Sequence, residues 1–165
     1  MDGPRNDGDG NDREGVSYVH VFPTRDDEGY CFTYSVGLQA RGLPEIVVYG
    51  LDARTSQGVL EQAVVAMGPR LGTVATREPV DGVLVGYPVA LGDAEVTSRG
   101  SEGHYVPLAR HASGGDSVTV RQVFFPDAEG RFPWDPDCSP NIAATQDVAN
   151  SVGRGPVPTG PSPAP

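Results

Sequence analysis

The stretch that decides the fold is Tyr30-Cys-Phe-Thr-Tyr-Ser-Val-Gly-Leu38, in which large side chains alternate with small ones. The large residues on one face are Phe32, Tyr34, Val36 and Leu38. The small residues on the other face are Cys31, Thr33, Ser35 and Gly37. A period of two predicts a β-strand whose large face packs on a core. The small, polar face suits the close approach of a neighbouring backbone or of a ligand.

The chain before and after this strand predicts two more strands and one helix. Residues 17–23 alternate and stop at a proline, and residues 45–51 form an apolar run typical of a strand covered on both faces. Asp52 or Thr55 is a suitable N-cap for a helix that ends at Gly68-Pro69. Its apolar positions at helical spacing are Leu60, Ala63, Val64, Met67 and Leu71.

The second half of the chain is less regular. Residues 83–91 form a β run in which Gly86 and Pro88 indicate a bulge or an edge position. Residues 104–112 fit either a short helix or a loop, and residues 117–125 alternate as a strand. Residues 127–137 then form an ordered loop. An edge strand at residues 83–91 makes a homodimer possible.

These elements predict an α+β fold: a single domain with a mainly antiparallel sheet, open or barrel-like, and one main helix. The tails are low in apolar residues. Residues 1–15 hold five acidic side chains and four glycines, and residues 151–165 hold three glycines and five prolines. Such segments cannot bury enough apolar surface to offset their ordering entropy. We therefore expect disordered tails at residues 1–15 and 149–165 and a globular domain at residues 16–148.

Charge and composition exclude several classes of function. The formal net charge is −10, which disfavours nonspecific binding to nucleic acid or to an anionic membrane. All twelve basic residues are arginine, so a Schiff-base lysine and a phosphate-loop lysine are excluded. The sequence has neither a signal peptide nor an apolar run long enough to span a membrane. With two widely separated cysteines and no disulfide framework, we expect a cytoplasmic protein.

No constellation in the sequence predicts catalysis or a metal site. The three histidines, His20, His104 and His111, lack the spacing of a metal-binding motif, so we expect no metal. Cys31 with His20 would suit a cysteine-dependent hydrolase, but a single strand cysteine is more often an inert buried thiol. Whether the protein is an enzyme stays open, and no catalytic residue is assigned.

The loop at residues 127–137 has two interpretations. In the structural one, Asp127 caps backbone amides in a turn, Arg131 pairs with a carboxylate, and Trp134 plugs the end of the sheet beside Asp135. In the functional one, the same residues form a binding surface, because a lone tryptophan in an ordered loop is a common anchor. The sequence favours the structural interpretation.

These elements together resemble a bacterial family, the domain of unknown function 4262, over about residues 16–142. The resemblance rests on four phrases in order: Phe32 to Leu38, Pro44-Glu45 with the strand after it, Phe124-Phe-Pro-Asp127, and Gly130-Arg-Phe-Pro-Trp-Asp135. It implies a small bacterial cytoplasmic protein with no agreed activity, and it supplies no catalytic residues.

A weaker pattern is similar to the flavin-reductase split barrels, in which a strand of small polar residues contacts a flavin. Here the corresponding face carries Thr33, Ser35 and Gly37, and Arg41 follows as a phosphate partner. That similarity implies FMN or FAD as the cofactor. Fold alone does not fix function.

Besides the cysteine-dependent hydrolase that would use Cys31 with His20, two hypotheses follow from the sequence. The first is a noncatalytic binding, interaction or regulatory module, which rests on the missing catalytic constellation and on the aromatic loop around Trp134. The second is a flavin- or nucleotide-binding protein that uses the face of Thr33, Ser35 and Gly37.

Overall fold

The computed structural model describes residues 15–22, 31–94, 118–146 and 151–152. The predicted ambiguous segment at residues 104–112, which includes His104 and His111, lies outside these ranges. The strands are β1 (Ser17–Val21), β2 (Phe32–Val36), β3 (Glu45–Tyr49), β4 (Val80–Leu84), β5 (Tyr87–Ala94), β6 (Val120–Phe124) and β7 (Ser151–Val152). The helices are α1 (Ala53–Met67) and α2 (Pro140–Thr145), with 3-10 turns at Gln39–Arg41 and Gly68–Gly72.

The strands form one sheet in the order β1-β2-β3-β6-β5-β4, and β7 pairs with β5. Only the β3–β6 pair is parallel among the described strands; the other pairs are antiparallel. The α+β class and the mainly antiparallel sheet are confirmed. The sheet is open, because no pairing in the described part of the chain joins β1 to β4.

The main helix begins and ends where the sequence predicts. Asp52 is the N-cap: its Oδ1 accepts the amide of Thr55 at 2.9 Å, and its Oδ2 accepts the Thr55 hydroxyl at 2.6 Å. Gly68, with φ of +49°, ends α1, and Pro69 follows in the first 3-10 turn after it. Leu71 therefore lies outside the helix, although it is fully buried.

One expectation about strands needs correction. Residues 83–91 are not one run, because the chain turns at Val85-Gly86 and returns as an antiparallel hairpin of β4 and β5. Gly86 has φ of +80°, which a turn can use and a strand cannot. Of the two strands of this hairpin, β4 lies at an edge of the sheet, whereas β5 pairs with both β4 and β6. Residues 151–152 pair with β5 as β7, and the other residues of the two predicted tails, apart from Gly15, lie outside the described ranges.

The main core lies between the sheet and α1. Val59, Leu60, Ala63 and Met67 of the helix pack on buried residues of the central strands. A second buried group, centred on Tyr34 and Val47, covers the opposite face of β2 and β3. As a result, β3 is buried at all five positions, as its apolar run predicts. No helix in the described ranges is long and apolar enough to cross a membrane.

Candidate functional site

A pocket of about 400 Å³ lies where β3 and β6 begin side by side and β5 ends. Its residues come from four parts of the chain that are distant in sequence. They are Gln39, Gly42, Leu43 and Pro44 before β3, Gly72 after α1, Asp93 at the end of β5, and Thr119 and Arg121 at the start of β6. The volume is in the range of small-molecule sites in proteins.

Arg121 is the chemically unusual residue of the pocket, since it is a charged side chain only 4% exposed. Its Nη1 donates to the Leu71 carbonyl at 2.9 Å. Its Nε lies 3.0 Å from Oδ1 of Asp93, within ion-pair distance, yet the N–H is not aligned for a hydrogen bond and has no other acceptor among the described residues. A buried guanidinium normally has its donors matched. This one retains hydrogen-bonding capacity beside a cavity.

Register places Asp93 next to Arg121. The two residues face each other across the antiparallel β5–β6 pair, so their side chains leave the sheet on the same face. The Asp93 side chain is 51% exposed. The carboxylate is therefore open to solvent, whereas the guanidinium beside it is not.

The rim of the pocket is held by a second buried charge, Glu45, which is 1% exposed. Its carboxylate accepts hydrogen bonds from the Ser35 hydroxyl at 2.5 Å, the Gly37 amide at 2.8 Å and the Gln39 amide at 3.1 Å. The amide of Glu45 donates to the Thr119 carbonyl at 2.9 Å. These bonds connect the turn before β3 to the start of β6, both of which contribute residues to the pocket.

The predicted flavin-binding residues do not come together at this pocket. Thr33 and Ser35 are buried; Thr33 Oγ1 is 2.8 Å from His20 Nδ1, and the Ser35 hydroxyl accepts the Ile46 amide at 2.9 Å. Gly37 faces the backbone of Gly15. The small face of β2 is thus in contact with neighbouring chain. Arg41 is exposed and lies in the 3-10 turn next to the pocket residue Gly42.

The cysteine and histidine of the hydrolase hypothesis have separate partners. The Cys31 thiol donates to the Leu51 carbonyl at 3.2 Å. His20 stands opposite Thr33 in the β1–β2 register and contacts its hydroxyl. Neither contact supplies a base for the thiol.

In the loop at residues 127–137, Asp127 is 3% exposed and organises the turn. It accepts the amides of Glu129, Arg131 and Ser139 at 2.9–3.0 Å and the Arg131 Nε at 3.1 Å. Burial alone would raise the pKa of Asp127, but the hydrogen bonds from the three amides and from the Arg131 side chain outweigh it and lower the pKa. This is the geometry of the structural interpretation.

The aromatic part of that loop is closely packed. Trp134 stacks on Phe132 with centroids 4.8 Å apart, meets Phe124 edge-on at 5.3 Å, and has the Arg77 guanidinium 4.9 Å from its ring centroid. Asp135 accepts the Phe132 amide at 2.7 Å. The indole is therefore engaged by three groups of its own chain, which limits its use as an anchor for a partner.

Sequence reasoning missed Arg121, Asp93 and Glu45 as site residues. A signal for two of them was present: Arg121 interrupts a buried apolar strand, and Glu45 opens another. Charged residues are rarely buried without a specific partner. Asp93 carries no such signal, because only the strand register brings it to the site.

Comparison with known proteins adds the family but no activity. A search of curated proteins found no match, and a search of solved structures found none. The model of one family, described as a domain of unknown function (DUF4262), matches residues 12–139. That match covers most of the sheet, all of α1 and the whole pocket, so the chain belongs to the DUF4262 family.

Proposed function

We propose that this protein is a noncatalytic binding module whose ligand is a small molecule held in the pocket beside Arg121. The observation that carries the proposal is a guanidinium 4% exposed that lines a cavity of about 400 Å³ and makes one aligned hydrogen bond, to the Leu71 carbonyl, within the described part of the chain. Burying a charge costs free energy unless its hydrogen bonds are made. A ligand with an acceptor group would add a partner for the remaining donors of this guanidinium.

The proposal also includes a bacterial, cytoplasmic protein. Cys31 and Cys138 are both free thiols, which fits a reducing compartment. The net charge of −10 continues to argue against nucleic acid as the partner.

The test is a binding screen by two-dimensional NMR on the 15N-labelled full chain, with a library of small acids, amines, amino acids, nucleotides and flavins. A true ligand should shift the amide signals of Gly42, Gly72 and Thr119 in a saturable way. Arg121→Met should weaken binding at least ten-fold, because a charge-assisted hydrogen bond contributes about 1.5–3 kcal/mol.

Two matched pairs of variants make the screen specific. Arg54→Met removes the same charge from an exposed position on α1 and should leave binding unchanged. Gly72→Ala adds a methyl group 3.6 Å from the Pro44 ring and narrows the pocket, whereas the Cβ of Gly58→Ala on α1 would meet nothing within 4 Å. If no library member binds, or if binding is indifferent to Arg121→Met and Gly72→Ala, the pocket is not the site.

The flavin or nucleotide hypothesis stays a prediction, and the same library tests it. Its residues Thr33 and Ser35 are already engaged by chain groups, while Arg41 lies beside the pocket. Quenching of FMN or FAD fluorescence that saturates at micromolar protein, and that is lost in Thr33→Val, would support it. Saturable quenching lost in Arg121→Met but retained in Thr33→Val would instead place the flavin in the pocket.

A further inference from the structure

The wall of the pocket carries two opposite charges side by side. Arg121 and Asp93 are cross-strand neighbours in the β5–β6 register, with Nε and Oδ1 3.0 Å apart, and both line the cavity. The backbone pairing places both side chains next to each other on one face of the sheet.

Both charged groups keep unused hydrogen-bonding capacity. A guanidinium has five N–H donors; within the described part of the chain the Leu71 carbonyl takes one, and the Nε–H, which is itself fully buried, has no aligned acceptor. The Asp93 carboxylate has two oxygens with about four lone-pair positions, and its side chain is half-exposed. Although Arg121 and Asp93 lie at ion-pair distance, their mutual contact does not use all of their hydrogen-bond donors and acceptors.

A ligand with a single charge suits this pair poorly. An anion on Arg121 would lie beside the Asp93 carboxylate, and a cation on Asp93 would lie beside the guanidinium. Each arrangement sets one attraction against one repulsion at similar distance. A ligand that carries a carboxylate and an ammonium close together can place its carboxylate on the Arg121 guanidinium and its ammonium on the Asp93 carboxylate. Each charge then has charges of the opposite sign as its nearest neighbours.

We propose that the ligand of this pocket is a free α-amino acid, with its carboxylate on Arg121 and its ammonium on Asp93. This inference rests on the proposed function, since it names the ligand class of the same pocket. Leu43 and Pro44 supply apolar surface for the amino acid side chain. Glu45 holds the Gly37 and Gln39 amides at the rim of the same pocket.

The test is isothermal titration calorimetry of the full chain with three matched trios. L-alanine, L-leucine and L-phenylalanine are each compared with the acid that lacks the ammonium and with the amine that lacks the carboxylate. We expect at least one amino acid to bind ten-fold or more tightly than both of its single-charge analogues. Acids that bind as tightly as the amino acids overturn the inference but leave the pocket as a binding site.

Charge-removing variants assign the two ends of the ligand. Asp93→Asn should erase the preference for the amino acid over its acid, and Arg121→Met should weaken both at least ten-fold. Asp81→Asn, at an exposed position of β4, is the matched control and should change neither. A preference unchanged in Asp93→Asn also overturns the inference. If none of the nine compounds binds at millimolar concentration, the inference fails, and the broader screen decides whether the pocket binds anything else.

Discussion

Gly37→Ala should destabilise the protein far more than the same change at an open glycine, because the backbone of Gly15 occupies the space beside Gly37. A Cβ built at Gly37 would lie 1.8 Å from the Gly15 carbonyl oxygen. Real Cβ contacts essentially never fall under 3.0 Å, so the two segments must separate by roughly 1.2 Å. Overpacking of this kind costs about 1–3 kcal/mol in a well-packed site.

A matched control separates that clash from backbone strain. Gly37 has φ of +117° and Gly86 has φ of +80°, so alanine is strained at both positions. At Gly86 no atom lies within 4 Å of the added Cβ. Left-handed backbone alone costs about 1–2 kcal/mol for a residue with a Cβ. We therefore expect Gly86→Ala to lower the free energy of unfolding by about 1–2 kcal/mol and Gly37→Ala by about 2–5 kcal/mol.

The assay is urea unfolding at equilibrium, followed by the fluorescence of Trp134, the single tryptophan. A difference of less than about 0.5 kcal/mol between Gly37→Ala and Gly86→Ala would refute the reasoning, because independent substitutions agree only to that level. It would mean that Gly15 does not cover Gly37. The small face of β2 would then be open, and the flavin hypothesis would gain the accessible surface it needs.

Three further predictions concern the loop that follows β6 and its neighbour Arg77. Because the pKa of Asp127 is lowered in the folded protein, its stabilisation is complete above the unfolded pKa of about 3.9 and is lost as the pH falls through the folded value. Asp127→Asn should flatten the acid limb of a plot of unfolding free energy against pH; an unchanged limb contradicts this. The pKa of the Cys138 thiol is raised, first by burial and then by the charges of Asp127 and Asp135. Iodoacetamide at pH 8 should therefore label Cys138 only after unfolding, as measured by mass spectrometry. Arg77 has φ of +66°, which is strained for a residue with a Cβ. Arg77→Gly and Arg77→Ala both lose the contact with Trp134, but only glycine relieves the strain. In urea unfolding, Arg77→Gly should therefore be more stable than Arg77→Ala by about 1 kcal/mol. Equal stabilities of these two variants would contradict the strain.

Local periodicity explains which elements the sequence could predict. The strand around Tyr34 alternates over its whole length, and α1 has both its apolar stripe and its Asp52 cap, so each signal is contained in a few neighbouring residues. The β4–β5 hairpin was missed because Val85-Gly86 is not the Asn-Gly or Asp-Gly pair that marks a tight turn.

The pocket could not be predicted in the same way, because it depends on strand pairing between distant parts of the chain. The parallel register brings Glu45 beside Val120, and the antiparallel register brings Asp93 beside Arg121. Local sequence carries no record of register between strands this far apart. Local sequence does show a charged residue within a strand that is mostly apolar. Because burying a charge is unfavourable without a specific partner, this position, Arg121, is one that the sequence singles out.

Glu45 and Arg121, the two buried charges beside the pocket, differ in how many of their hydrogen bonds the chain supplies. The Glu45 carboxylate receives three hydrogen bonds from its own chain, so the fold by itself accounts for it. Arg121 is buried to a similar degree, but its Nε has no aligned acceptor and it borders a cavity. A charge that the fold buries without completing its hydrogen bonds costs stability that the fold does not recover. A ligand in the pocket would add acceptors for the remaining donors of Arg121, and this is why we propose the Arg121 pocket, and not the better-satisfied loop around Trp134, as the binding site.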